Sequence, residues 1–113
     1  MNITMNSIRD AAGNNTFGLP FSNLKYSTTL VETTEQTLTV PGKSPRWLAI
    51  FSFEPGSEVW VAKNATATDS GAIFAETDSE LNPVAREVKA GDVLHFITPN
   101  ADARLGVVFY AIQ

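Results

Sequence analysis

From Lys25 onward, hydrophobic and polar positions alternate in short runs separated by Gly, Pro, Asn and Asp, the pattern of β-strands joined by turns. Residues 25–31 predict a first strand and 35–40 a second, in which Leu38 and Val40 share one face and Thr37 and Thr39 the other. Pro41-Gly42 ends it. Residues 46–53 begin apolar on both faces, as a central strand covered on each side requires, and end with Phe51 and Phe53 opposite Ser52. Glu54-Pro-Gly-Ser57 predicts a turn, because proline presets φ at its first corner and glycine accepts a positive φ at its second. Residues 58–63 are then expected to pair back on 46–53 as a hairpin. Residues 64–80 are small and polar around Ala72-Ile-Phe-Ala75, a long loop with room for one short strand. Strands follow at 84–88, 93–98 and 104–112, with turns at Lys89-Ala-Gly-Asp92 and Pro99-Asn-Ala-Asp102. No helical period is sustained after residue 24. Seven or eight strands at this spacing predict an all-β fold: one antiparallel β-sandwich or jelly roll over residues 25–113.

Residues 1–24 differ. They are rich in Asn, and their apolar residues, Ile3, Ile8, Phe17, Leu19 and Phe21, follow neither strand nor helix period. A short helical turn at 7–12 is the one local expectation. The segment reads either as a strap on its own domain or as an extended arm whose sparse anchors dock on a neighbouring subunit.

Composition narrows the chemistry. The 113 residues suffice for one domain with its own core. With no cysteine, disulfides, thiol catalysis and thiolate metal sites are excluded. A net charge of −4 argues against a nucleic-acid partner. The longest apolar run, 107–112, is too short to span a membrane, and the first ten residues lack the pattern of a secretory signal. The Asn-X-Thr triplets at Asn2, Asn14 and Asn64 match what an Asn/Thr-rich chain produces by chance.

Few residues offer chemistry. The single histidine, His95, falls mid-strand with Val93 and Ile97 and reads as a half-buried structural residue. Glu76, Asp78 and Glu80, spaced by two, are the only clustered carboxylates; an acidic solvated loop explains them more simply than metal or acid catalysis. Trp47, Trp60, Tyr26 and Tyr110 divide between core, subunit contact and a sugar-stacking surface. If Val59 and Val61 face the core, Trp60 faces outward and needs a cover: a loop, a subunit or a ligand. Arg46, Arg86 and Arg104 suit edge charges or subunit salt bridges. Gly106, alone among the glycines in lying within a strand, suggests a bulge or a close approach. Phe17, Leu19, Phe21, Trp47, Trp60 and Tyr110 are the candidates for subunit contact. No catalytic, cofactor or metal-binding residue is expected, and the chain does not read as an enzyme.

One set of motifs goes further. Trp47-Leu-Ala-Ile-Phe-Ser-Phe-Glu-Pro-Gly-Ser-Glu-Val-Trp-Val-Ala62, Ser79-Glu-Leu-Asn-Pro83, Val88-Lys-Ala-Gly-Asp92 and Gly106-Val-Val-Phe-Tyr-Ala-Ile112 together resemble small β-sandwich structural proteins of tailed bacteriophage virions. The likeness spans about residues 35–112. It implies a capsid decoration (cement) protein, often a homotrimer, made in the host cytoplasm and bound to the major capsid protein or other virion subunits. A collar or head–tail component, or a glycan- or receptor-binding module of a tail fibre, is the alternative. No catalytic residue and no cofactor come with the resemblance.

Overall fold

The computed structural model describes residues 8–9, 15–16, 21–69, 73–100 and 102–112. In chain order the strands are β1 (Ile8–Arg9), β2 (Asn15–Thr16), β3 (Lys25–Leu30), β4 (Gln36–Thr39), β5 (Arg46–Phe53), β6 (Trp60–Lys63), β7 (Ser79–Leu81), β8 (Ala85–Lys89), β9 (Val93–Ile97) and β10 (Ala103–Ala111). β1 and β2 pair with each other, so Ile8–Arg9 is extended where a helical turn was expected. The other eight strands form two antiparallel sheets of four, ordered β3-β10-β5-β8 and β4-β9-β6-β7. The chain is therefore an all-β sandwich, and no helix occurs among the described residues.

The pairing is nested. β6 pairs with β7, β5 with β8, β4 with β9 and β3 with β10, as in one long hairpin whose tip is the β6–β7 connection. Rolling that hairpin up adds the pairs β10–β5 and β6–β9, which is jelly-roll topology. Every connection among these strands crosses between sheets except β6–β7.

This corrects the expected hairpin of 46–53 with 58–63. The turn itself forms, with Ser57 N–H donating to the Glu54 carbonyl at 3.1 Å and Gly56 at φ 82°. Proline followed by a left-handed glycine is a type II turn, whose twist splays flanking strands instead of pairing them. β10 and β8 already occupy both edges of β5. The chain consequently passes to the other sheet. The short strand in the long loop also sits elsewhere than its apolar patch: β7 is Ser79–Leu81, whereas Ile73 and Phe74 are exposed.

The core lies between the sheets and follows the alternation. Trp47, Ala49 and Phe51 point inward from β5, Leu94 and Phe96 from β9, and Leu105, Val107 and Phe109 from β10. Phe51 meets Phe96 edge-on across the sheets at 6.2 Å, and Phe109 meets Trp47 at 6.2 Å and Tyr26 at 5.7 Å. Such contacts add about 0.5–1.5 kcal/mol each beyond the area they bury. The sandwich also draws in residues before 25. Ser22 is buried, its Oγ donates to the Phe109 carbonyl at 2.6 Å, and Leu24 accepts from Phe109 N–H at 3.0 Å.

At the crossings the backbone leaves the ladder, and side chains replace the lost partners. Ser57–Val59 runs between β5 and β6 in this way. Asn82 Oδ1 accepts from Val59 N–H at 2.8 Å, and Asn82 Nδ2 donates to the Ser57 carbonyl at 3.0 Å. From the opposite side, Asn100 Oδ1 accepts from Glu58 N–H and the Thr98 hydroxyl donates to the Glu58 carbonyl. Asn64 repeats the device after β6: its Oδ1 accepts from Val93 N–H at 2.8 Å and its Nδ2 donates to Asp92. Asn64 and Asn82 are left-handed, at φ 58° and 44°, a conformation asparagine tolerates better than most residues.

The glycines separate into two kinds. Gly56 and Gly91 hold φ of 82° and 86°, whereas a Cβ on Gly106 would meet its nearest atom, Ser52 Cβ, at an ordinary 3.8 Å. Gly56→Ala and Gly91→Ala are each expected to lower unfolding free energy by about 1–2 kcal/mol, because an L-residue is strained at positive φ. Gly106→Ala is expected to be neutral or to raise it by up to about 1 kcal/mol. Urea unfolding of the three variants checks both; a destabilised Gly106→Ala would mean that glycine serves the fold.

Candidate functional site

The two sheets present different outer surfaces. On the β4-β9-β6-β7 sheet, Ala62 of β6, His95 of β9 and Ser79 of β7 stand in one row across the strands. The chain after β6 turns back over this row. Thr68 N–H donates to Ser79 Oγ at 3.0 Å, and Ala67 N–H donates to Glu35 Oε2 at 2.8 Å. The other oxygen of Glu35 lies 3.1 Å from His95 Nδ1. An ionised carboxylate only accepts, so Nδ1 carries the proton in this contact. Ala62, Ala67 and Ser79 are buried as a result. His95 is thus half-buried, as its strand position predicts, and it forms part of a latch that holds Ala67 and Thr68 against the sheet.

At the β7–β8 side of the sandwich, a cleft of about 400 Å³ opens between the sheets. Phe51, Val61 and Leu94 line its interior, while Asp78, Glu80 and Arg86 stand at its polar side. Glu80 accepts from Arg86 through both oxygens, at 3.0 and 2.9 Å. Those bonds hold the Glu80 carboxyl below the ordinary carboxylate range, the opposite of what a general acid requires. Glu76, Asp78 and Glu80 are not gathered into a metal-binding group, and no such group of three or more occurs among the described residues.

Arg46, Arg86 and Arg104 each find an acid within the chain. Arg46 pairs with Glu87 at 2.9 Å, Arg86 with Glu80, and Arg104 with Glu54 through two bonds of 2.9 and 2.7 Å. All three pairs are solvent-exposed, so they orient side chains more than they hold the fold.

The aromatic candidates separate by depth. Trp47 is 0% exposed, packed on Phe109, with its Nε1 donating to the Pro41 carbonyl at 2.9 Å. It is a core residue, and its side chain offers nothing to a neighbouring subunit or a sugar. The reason is its place on the inward row of the central strand, opposite Val88 of β8 and Ala111 of β10. Tyr110 stands on the outer row of β10 but is only 7% exposed, so it too gives little surface to a partner. Trp60 behaves as expected: Val59 and Val61 are buried, and the indole faces outward, half-covered, between Ile97 and Leu81 on the flanking strands. Its Nε1 is enclosed and meets no acceptor among the described residues. Phe21 is 92% exposed. Phe17 and Leu19 lie outside the described residues.

Among the described residues, exposed large apolar side chains fall in two stretches. Phe21, Tyr26 and Val31 follow the outer edge of β3, and Ile73, Phe74, Leu81 and Val84 follow the chain from the 64–78 connection to β8. Ile73 and Phe74 are 83% and 106% exposed. Sequence patterning found Phe21 and the 72–75 patch but not the Glu35–His95 latch, whose members are sixty positions apart. Nor did it find the roles of Asn64 and Asn82, which depend on cross-strand neighbours that only the topology supplies.

Compared with family models, curated proteins and solved structures, the chain matches none of them.

The latch makes a pH-dependent prediction. The hydrogen bonds from His95 and then from Ala67 N–H hold the Glu35 carboxyl below the ordinary carboxylate range. A carboxyl lowered on folding stabilises the folded state above its ordinary pKa, about 4.3 for glutamate, and that contribution is lost as pH falls through the lowered value. The amide proton resonance of Ala67 is therefore expected to move on acidification below about pH 4.3. In Glu35→Gln that movement should be absent; an Ala67 resonance that titrates identically in both proteins would contradict the latch.

Proposed function

We propose that this chain is a non-enzymatic structural protein of a tailed-phage virion, most specifically a capsid decoration protein. In this reading it is made in the host cytoplasm, binds the major capsid protein or other virion subunits, and reinforces the shell through subunit contacts, with the homotrimer that the resemblance implies. One observation carries the proposal. Three turn motifs behind the resemblance, Pro55-Gly56, Asn82-Pro83 and Ala90-Gly91-Asp92, all occupy sheet-crossing corners of an eight-stranded jelly roll. That architecture recurs in viral shell proteins, although it serves other functions as well. The exposed apolar stretches support the same reading, since a shell-binding domain needs surface that another protein covers. The glycan alternative draws less support: Trp47 is in the core, and the Trp60 indole nitrogen is enclosed.

The test is reconstitution. The purified chain is mixed with phage particles lacking it, and the particles are sedimented and imaged. Saturable binding at regularly repeated shell positions, together with greater resistance of the particle to heat or low salt, is the expected result. A folded chain that fails to sediment with the particles would refute the reading.

A further inference from the structure

The four edge strands of the sandwich are guarded unequally. β8 is closed off. Phe51 N–H donates to the Val84 carbonyl, which fixes the alternation so that Ala85, Glu87 and Lys89 direct their backbone groups outward. Arg86 Nη1 then caps the Ala85 carbonyl at 2.7 Å, and Asp92 Oδ2 accepts from Lys89 N–H at 2.9 Å. β7 has only three residues, and the hydroxyl of Thr77 accepts from its first N–H. β4 has four. Short, charged or capped edges are the usual protection against pairing with another chain.

β3 has little of this. It is six residues long, contains no proline, and is exposed up to Leu30. Because Phe109 N–H donates to the Leu24 carbonyl, the even-numbered residues of β3 exchange bonds with β10, and Lys25, Ser27 and Thr29 direct theirs outward. Gln36 Nε2 covers the Thr29 carbonyl at 3.2 Å. Among the described residues, none caps the backbone groups of Lys25 and Ser27 in this way. Along the same edge stand three exposed large apolar side chains, Phe21, Tyr26 and Val31.

We infer that the β3 edge pairs with the β3 edge of a second copy, antiparallel and about a two-fold axis at Tyr26. Self-complementarity selects this occupant. With Tyr26 opposite its own equivalent, Lys25 of each copy faces Ser27 of the other, so the uncapped backbone groups satisfy one another. The same register carries the Val31 end of each strand toward the Phe21 end of the other and leaves the Thr29 carbonyl with Gln36. Tyr26 then meets its own equivalent, the exposed apolar residues flanking the strand are brought toward each other, and Lys25 does not face Lys25. The result is one continuous eight-stranded sheet through an isologous contact. The inference rests on one part of the preceding reading, that the chain self-associates, and is independent of the virion. It adds a two-fold contact to whatever surface closes a trimer.

The cysteine-free sequence makes the test clean. In Tyr26→Cys the only thiol lies on the axis, where a non-hydrogen-bonded antiparallel pair sets Cα atoms about 4.5 Å apart, within disulfide range. Oxidised dimer is expected to form roughly tenfold or more faster than in an Asp69→Cys control, the thiols being held at high effective concentration. Ser27→Pro removes one outward N–H without touching the β10 ladder, and Val31→Lys alters a side chain that is already exposed. Each is expected to shift the native protein toward a smaller assembly by analytical ultracentrifugation. Cross-linking of Tyr26→Cys no faster than the control would overturn the contact, and so would an assembly unchanged in Val31→Lys. An unmodified chain that stays monomeric at all concentrations would overturn self-association as well, whereas failure to bind particles would leave this contact standing.

Discussion

Everything in this fold follows from the need to satisfy backbone hydrogen bonds where the chain leaves one sheet for the other. In a simple up-and-down sheet each strand hands its donors and acceptors to the next. Among the eight strands of this sandwich, β6–β7 is the one connection that stays within a sheet. A buried N–H or C=O left without a partner costs about 1–3 kcal/mol, so each corner needs its own solution. Asn82, Asn64, Asn100 and Thr98 supply it at the ends of β6, acting as side-chain extensions of the ladder. Their placement explains why this sequence is rich in turn residues that look generic in isolation.

Closing the corners positions everything else. It brings Phe51 against Phe96 and Trp47 against Phe109, so that the two inner rows form one core. It lays Glu35 beside His95, which fastens Ala67 over the outer face of β6 and β9. It also determines which edges face solvent. β8 falls where Arg86 and Asp92 can cap it, while on the outward side of β3 Gln36 is the one cap among the described residues. Where the internal satisfaction stops, the surface for another chain begins. For a protein proposed to bind to its neighbours, the open edge and the exposed apolar residues beside it are where function is expected.

Much of the architecture was legible in the sequence because alternation reports burial directly. The bounds of β5 and the core of β9 follow from the period of their apolar residues, and Trp60 faces outward because Val59 and Val61 face in. Partner choice was not legible. A Pro-Gly turn between two apolar runs looks like a hairpin, and only its type II twist, with β5 already flanked on both sides, sends β6 to the other sheet. Trp47 misled for a related reason. A large aromatic with a polar handle suits an interface as well as a core, and the Pro41 carbonyl that satisfies its nitrogen is a neighbour created by folding. The open edge of β3 could not be read at all before the strand order was known.

Residue-resolved amide hydrogen exchange measures this distribution of satisfied and open groups most directly. The Val59 and Val93 amides, bonded to Asn82 and Asn64 side chains, should be protected to a degree comparable with amides inside the ladders. The Lys25 and Ser27 amides should exchange rapidly in dilute solution and become protected as concentration rises. Rapid exchange at Val59 and Val93, or slow exchange at Ser27 in a dilute monomer, would contradict the account.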